Sequence, residues 1–139
     1  FGIHPAHAGA GNWIKKTVKY SDLSAAATTA TFTLYTTKQF ETIQQVVMRR
    51  DVDFAGGALR AYTVSVGKSG AVTKYQSATD VFTGVSNGNT NSIVSTGPGV
   101  EPADTAIIAT ATSTAANTSV ATAGQLTFFI LVSAIPPGN

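Results

Sequence analysis

The stretch YTVSVGKSGAVTKY, residues 62–75, decides how the chain is interpreted. It contains Gly-Lys-Ser, the end of a well-known phosphate-binding loop, between two runs of β-type residues. That loop needs a glycine five residues before Gly67 and a helix after the motif. The required position is Tyr62, and Gly70 and a second β-type run follow instead. We therefore predict a β-hairpin that carries Lys68 at an exposed tip.

The hairpin has an inward face and a tight reversal. Residues two apart in a strand share a face, so Tyr62, Val64 and Val66 are predicted to face the core. A reversal this tight requires a positive φ, which Gly67 or Gly70 can supply.

Runs of the same kind recur along the rest of the chain, separated by turn signals. Eight short strands without a convincing helix indicate an all-β fold, an antiparallel β-sandwich or jelly roll. We predict one such domain over 13–139, preceded by a flexible N-terminal arm at 1–12 that is rich in glycine and alanine. The predicted strands are 13–20, 28–37, 40–54, 59–66, 71–76, 92–96, 105–113 and 126–135.

Two of these strands have unusual patterns. In 40–54, predicted to bend near Arg49, one face carries Val46, Met48, Val52 and Phe54. In 126–135 both faces are apolar: one carries Leu126, Phe128, Ile130 and Val132, the other Phe129, Leu131 and Ile135. A strand that is apolar on both faces is covered twice. Either the fold is thick or a partner subunit covers the second face, and the pattern fits both.

Composition limits the partners. The chain has 139 residues and no cysteine, and its charged fraction is 12%, about half the usual 25%. Nine basic residues against seven acidic ones, scattered along the chain, give no footprint for nucleic acid. No apolar run reaches the 18 or so residues of a membrane-spanning helix. We predict no nucleic-acid partner and no membrane partner.

The candidates for chemistry are few. His4 and His7 are close in sequence, but zinc needs three or four ligands and the chain has only two histidines. Asp51 and Asp53 would share a strand face, as calcium-binding carboxylates do, but the adjacent arginines 49 and 50 favour structural ion pairs. With no acid–base constellation, we predict no enzyme, no cofactor and no metal site.

Two segments carry a family resemblance: KKTVKYSDLSAAATTATFTLYT (15–36) and FAGGALRAYTVSVGKSGAVTKYQSATDVFTG (54–84). They resemble small virion proteins of tailed bacteriophages, over roughly half of the chain. The resemblance implies a capsid decoration, or cement, protein. Such proteins are often jelly rolls that sit as trimers on the outer surface of the shell and bridge neighbouring major capsid proteins.

The resulting hypothesis is a homotrimeric cement protein of the virion, whose partners are the major capsid protein and further copies of itself. We expect its contacts among the apolar and cationic residues of the arm, the first strand and the hairpin tip: Phe1, Ile3, His4, His7, Trp13, Lys15, Lys16 and Lys68.

A second hypothesis is a head-fibre or tail-associated β-sandwich that binds glycans on the host surface. It would use the loops at 85–102 and, if they are exposed, the aromatic side chains that stack on sugars. These are Trp13, Tyr20, Tyr35, Tyr62 and Tyr75.

Overall fold

The computed structural model describes residues 12–83, 89–93 and 102–134. Of the predicted arm, only Asn12 lies within these residues. They form eight strands, with two short 3-10 helices at Tyr20–Leu23 and Thr118–Val120. The strands are β1 (Asn12–Lys19), β2 (Thr29–Thr36), β3 (Glu41–Ala55), β4 (Ala61–Lys68), β5 (Ala71–Asp80), β6 (Asn89–Ile93), β7 (Ala106–Thr114) and β8 (Ala123–Ala134).

The strands form two four-stranded antiparallel sheets packed as a sandwich. The first sheet has the order β1-β8-β3-β6 and the second has the order β2-β7-β4-β5. Strand one thus pairs with eight, two with seven, three with six and four with five. This is a long antiparallel ribbon rolled into two sheets, the order of a jelly roll. The predicted all-β sandwich is confirmed.

The opening stretch forms the predicted hairpin of β4 and β5. Lys68 pairs with Ala71 across the reversal, and Gly70 supplies the positive φ at +84°. Gly67 has another role, because a Cβ there would overlap the carbonyl oxygen of Ala71. A second strand rather than a helix follows the motif, so the phosphate-loop interpretation is excluded.

The interior consists of side chains that alternate along the strands. The predicted inward face of β4 is confirmed, because Tyr62, Val64 and Val66 are fully buried. The largest fully buried side chains come from both sheets and from the connection after β1: Tyr62, Phe54, Phe128, Leu23, Ile43, Met48, Ile107, Leu126, Ile130, Val18, Val46 and Val64.

The long strand β3 is present as predicted, with one correction. Val46, Met48 and Phe54 are buried, but Val52 is 47% exposed. The pairing of β3 with β8 shifts register between Arg50 and Val52. A bulge adds a residue to one strand, so the alternation is interrupted and Val52 points away from the core.

The outer faces of the two sheets differ in chemistry. Hydroxyl side chains of the second sheet face each other across strands, in rows such as Thr29, Thr112 and Thr63. The first sheet instead carries apolar residues of β8 on its outer side. Among the described residues, no helix has the length and hydrophobicity needed to cross a membrane.

Candidate functional site

The outer face of the first sheet carries an apolar cluster that spans three strands. The register places Trp13 of β1 opposite Leu131 of β8, and Phe129 of β8 opposite Val47 of β3. Directly opposed side chains on one face lie about 5 Å apart at Cβ. We call these four residues the Trp13 patch.

A shallow groove lies within the Trp13 patch. Its volume is about 290 Å³, and Trp13, Val47 and Phe129 line it. Val47, Phe129 and Leu131 are partly buried, whereas Trp13 keeps 52% of its surface exposed. A large exposed indole at the edge of an apolar groove is typical of an interaction site.

The position of β8 shows what covers each of its two apolar faces. Leu126, Phe128 and Ile130 are fully buried between the sheets. Phe129 and Leu131 lie on the other side and are only partly covered. The fold is therefore two layers thick at β8, and within the described residues the second apolar face is left partly open.

A polar network closes one end of the Trp13 patch. The Arg49 guanidinium lies 5.6 Å from the centre of the Phe129 ring, and its Nε donates to Asp51 Oδ1 at 2.7 Å. Thr127 Oγ1 donates to Asp51 Oδ2 at 2.5 Å. Gln125 Nε2 donates to the same oxygen at 3.2 Å. The carboxylate thus accepts three side-chain hydrogen bonds from two strands.

This network sets the acidity of Asp51. Partial burial by itself would raise its pKa, but the hydrogen bonds from Thr127, Arg49 and Gln125 outweigh that effect. The net result is a pKa below the ordinary value of 3.8. Asp51 is therefore ionised at neutral pH and offsets the charge of Arg49.

The predicted ion pairs of the arginine–aspartate run are confirmed. Arg49 pairs with Asp51, and Arg50 Nε lies 2.9 Å from Asp53 Oδ1. The two carboxylates therefore have separate cationic partners. Within the described ranges, no three histidine, cysteine or acidic residues are grouped closely enough to hold a metal ion.

The predicted contact residues lie in different parts of the fold. Trp13 and Lys15 share the outer face of β1, beside Leu131 and Phe129. Lys16 has the opposite parity, and its ammonium lies 5.6 Å from the centre of the Phe32 ring of β2. An inward-turned lysine on an edge strand disfavours unwanted pairing with the same strand of another copy.

The remaining predicted contacts are not part of this surface. Lys68 is the last residue of β4 in the second sheet and is partly buried. The prediction of Lys68 at the exposed tip is therefore wrong, because Lys68 still pairs with Ala71 and the exposed reversal consists of Ser69 and Gly70. Phe1, Ile3, His4 and His7 lie outside the described residues, as do most of the loop residues at 85–102.

The aromatic platform of the glycan hypothesis does not form. Tyr62 is fully buried and Tyr75 is 3% exposed. The hydroxyl of Tyr35 donates to Glu41 Oε1 at 2.8 Å, and Tyr20 packs against the core. Trp13 is the member of the proposed set that stays open to solvent.

The sequence interpretation missed Val47 as a part of the site. For its partner Phe129, the sequence predicts only a place on the second apolar face of 126–135. The alternation along each strand predicts which residues share a face with Trp13 or with Phe129. It does not predict that the two strands pair, because they are separated by more than a hundred residues. Register of that kind is a tertiary property.

Comparisons with known proteins give a structural match. No protein-family model matches the chain, and neither does any curated protein. Among solved structures, it is similar to a chain of the "Cyanophage Pam1 capsid asymmetric unit", with a TM-score of 0.64 and 18% sequence identity. The match covers 96% of this chain and 92% of that chain. The two chains share a fold.

Proposed function

We propose that the protein is a structural component of a phage virion that decorates the outer surface of the capsid and stabilises it. It does so as a homotrimer that bridges neighbouring major capsid proteins, without catalysis, a cofactor, nucleic acid or a membrane. The fold similarity to a chain of a phage capsid asymmetric unit over 96% of the sequence is the observation that carries the proposal.

The surfaces of the molecule are compatible with this role. The Trp13 patch offers apolar area that the described part of the chain leaves partly uncovered. The second sheet offers a row of threonines with few charges, so packing there requires little desolvation of ions. The mechanism is binding by burial at many symmetric contacts, which favours the assembled shell by mass action.

The test uses shells that lack the protein. Purified protein should bind them, saturate at a fixed copy ratio, and raise the temperature at which they release DNA or fall apart. Sedimentation should give three times the chain mass of 14.2 kDa. Shells whose heat and salt resistance stay unchanged would contradict the proposal.

The glycan-binding alternative rests on one observation, the exposed indole of Trp13. Retention on a glycan array, together with unchanged shells, would favour it over the cement role. Loss of retention in Trp13→Ala would then locate the sugar at the patch.

A further inference from the structure

We infer that the Trp13 patch binds an extended, acidic segment of a capsid protein, which places an apolar side chain in the groove and a carboxylate against Lys15. The inference rests on the proposed function, because the capsid is named as the source of the segment. It goes further by specifying the surface and the chemistry of the partner.

The groove specifies the apolar part of the ligand. Trp13, Val47 and Phe129 line it, and burying an apolar side chain against such a surface is favourable in proportion to the area removed from water. Tryptophan is among the residues that most often dominate binding when a partner buries them at the centre of an interface. The volume of about 290 Å³ lies just below the lower bound of about 300 Å³ for small-molecule pockets, and one branched or aromatic side chain fits within it.

The charges beside the groove specify the acidic part. Arg49 is already engaged by Asp51 at 2.7 Å, so that pair contributes little net charge. Lys15 is the register partner of Phe129 on the same face, and it is exposed. Among the described residues, no carboxylate forms a salt bridge with Lys15.

A further cation, Lys19, lies on the same face and has an acidic neighbour. Lys19 lies on the outer side of β1, two positions beyond Thr17 and in register with Gln125. The nearby carboxylate of Asp22 accepts the backbone N–H of Lys19 at 2.9 Å. With Asp51 offsetting Arg49 and Asp22 lying near Lys19, Lys15 leaves the charge beside the apolar groove positive, which attracts an acidic ligand.

The position of β1 specifies an extended ligand. Among the described strands, β1 lies at the edge of the first sheet and has β8 as its one neighbour. Its second edge therefore offers backbone donors and acceptors, which an extended segment can use while its alternate side chains reach the outer face.

The same residues disfavour two alternative occupants of the Trp13 patch, namely a second copy of the chain and the chain's own residues 1–11. Two copies that dock through the same strand would bring Lys15, Lys16 and Lys19 of each chain together, and like charges at a strand edge oppose pairing. The chain's own residues 1–11 contain no carboxylate. Neither occupant complements the charge of the patch.

The chain provides its own reporter for the test. Trp13 is its single tryptophan, so the indole emission and its quenching by acrylamide report only on the patch. The full chain is titrated with a heptapeptide that alternates leucine with aspartate and glutamate. A heptapeptide with lysine in place of the acids serves as the control ligand.

The acidic peptide should shift the Trp13 emission to the blue and protect it from acrylamide, with weaker binding as salt rises. Lys15→Glu should weaken binding about tenfold, since the contact becomes repulsive. Trp13→Ala, followed by anisotropy of a labelled peptide, should weaken it about 30-fold. Arg60→Glu is the matched control, because Arg60 is exposed before β4 in the other sheet, and it should bind as the parent chain does.

Three results would overturn the inference. The first is equal binding of the acidic and basic peptides, or of neither. The second is a blue shift that follows protein concentration alone, which would identify a second copy as the occupant. The third is binding to shells while Trp13 stays open to acrylamide, which would leave the cement role intact. Peptide binding without shell binding would instead contradict the cement role and support the acidic-ligand surface.

Discussion

Gly124 of β8 offers the sharpest test of how the two sheets are held in place. Its φ is +143°, a conformation that side chains rarely adopt. A Cβ at this position would lie 2.5 Å from two carbons of the Phe54 ring. Phe54 is fully buried and stacks on Tyr62 with ring centroids 4.5 Å apart. The ring therefore has little room to retreat.

The expected cost of Gly124→Ala combines two effects. The disfavoured backbone conformation costs about 1–3 kcal/mol, and overpacking against a fixed ring costs about 1–3 kcal/mol. We expect a loss of about 3 kcal/mol, a large share of the 5–15 kcal/mol typical of a domain. For a chain of this size, that loss lowers Tm by about 10 °C.

Thermal and denaturant unfolding of Gly124→Ala measure this loss. Gly57→Ala is the matched control, because nothing lies within 4 Å of a Cβ there and its φ is ordinary. It should leave Tm unchanged or slightly higher. A Gly124→Ala protein that melts within 2 °C or so of the parent would refute the close packing of Gly124 on Phe54.

Two further predictions follow from the hairpin and from the polar network. Gly67→Ala should destabilise the fold by about 3 kcal/mol, because its Cβ would overlap the backbone at Ala71. Gly70→Asn should cost far less, since asparagine tolerates a φ of +84°. Equal losses of unfolding free energy for the two variants in urea would contradict this. The lowered pKa of Asp51 means that its contribution is present above the ordinary pKa of 3.8 and is lost as pH falls through the lower native value. Asp51→Asn should therefore cost about 1 kcal/mol at pH 7, and this cost should shrink as the pH is lowered below 3.8. A cost in urea unfolding that stays the same as the pH is lowered would contradict the carboxylate's role.

The architecture followed from local patterns to a large extent. The hairpin of β4 and β5 was predictable because Tyr62, Val64 and Val66 alternate and glycine follows them within the next few residues. The class of fold followed from repeated short β-type runs in a chain without helical periodicity. The prediction that Val52 faces the core was wrong for a non-local reason, because the bulge that turns Val52 outward depends on pairing with β8.

The interaction surface was less accessible from sequence. Trp13 and Lys15 were expected at a contact because they are apolar and cationic residues near the start of the domain. Their neighbours Val47 and Phe129 come from strands far apart in the chain. Lys16, grouped with Lys15 by adjacency, lies on the opposite side of the strand next to Phe32.

The sequence by itself determined that the chain is β-rich with a hairpin at 62–75, because alternation and turn chemistry act between residues close in sequence. Only the tertiary structure decided the pairing of β1 with β8 and of β3 with β8. Those pairings set which side chains share a face, since moving a strand by one residue reverses all of them. The Trp13 patch exists because that register brings three separate strands together.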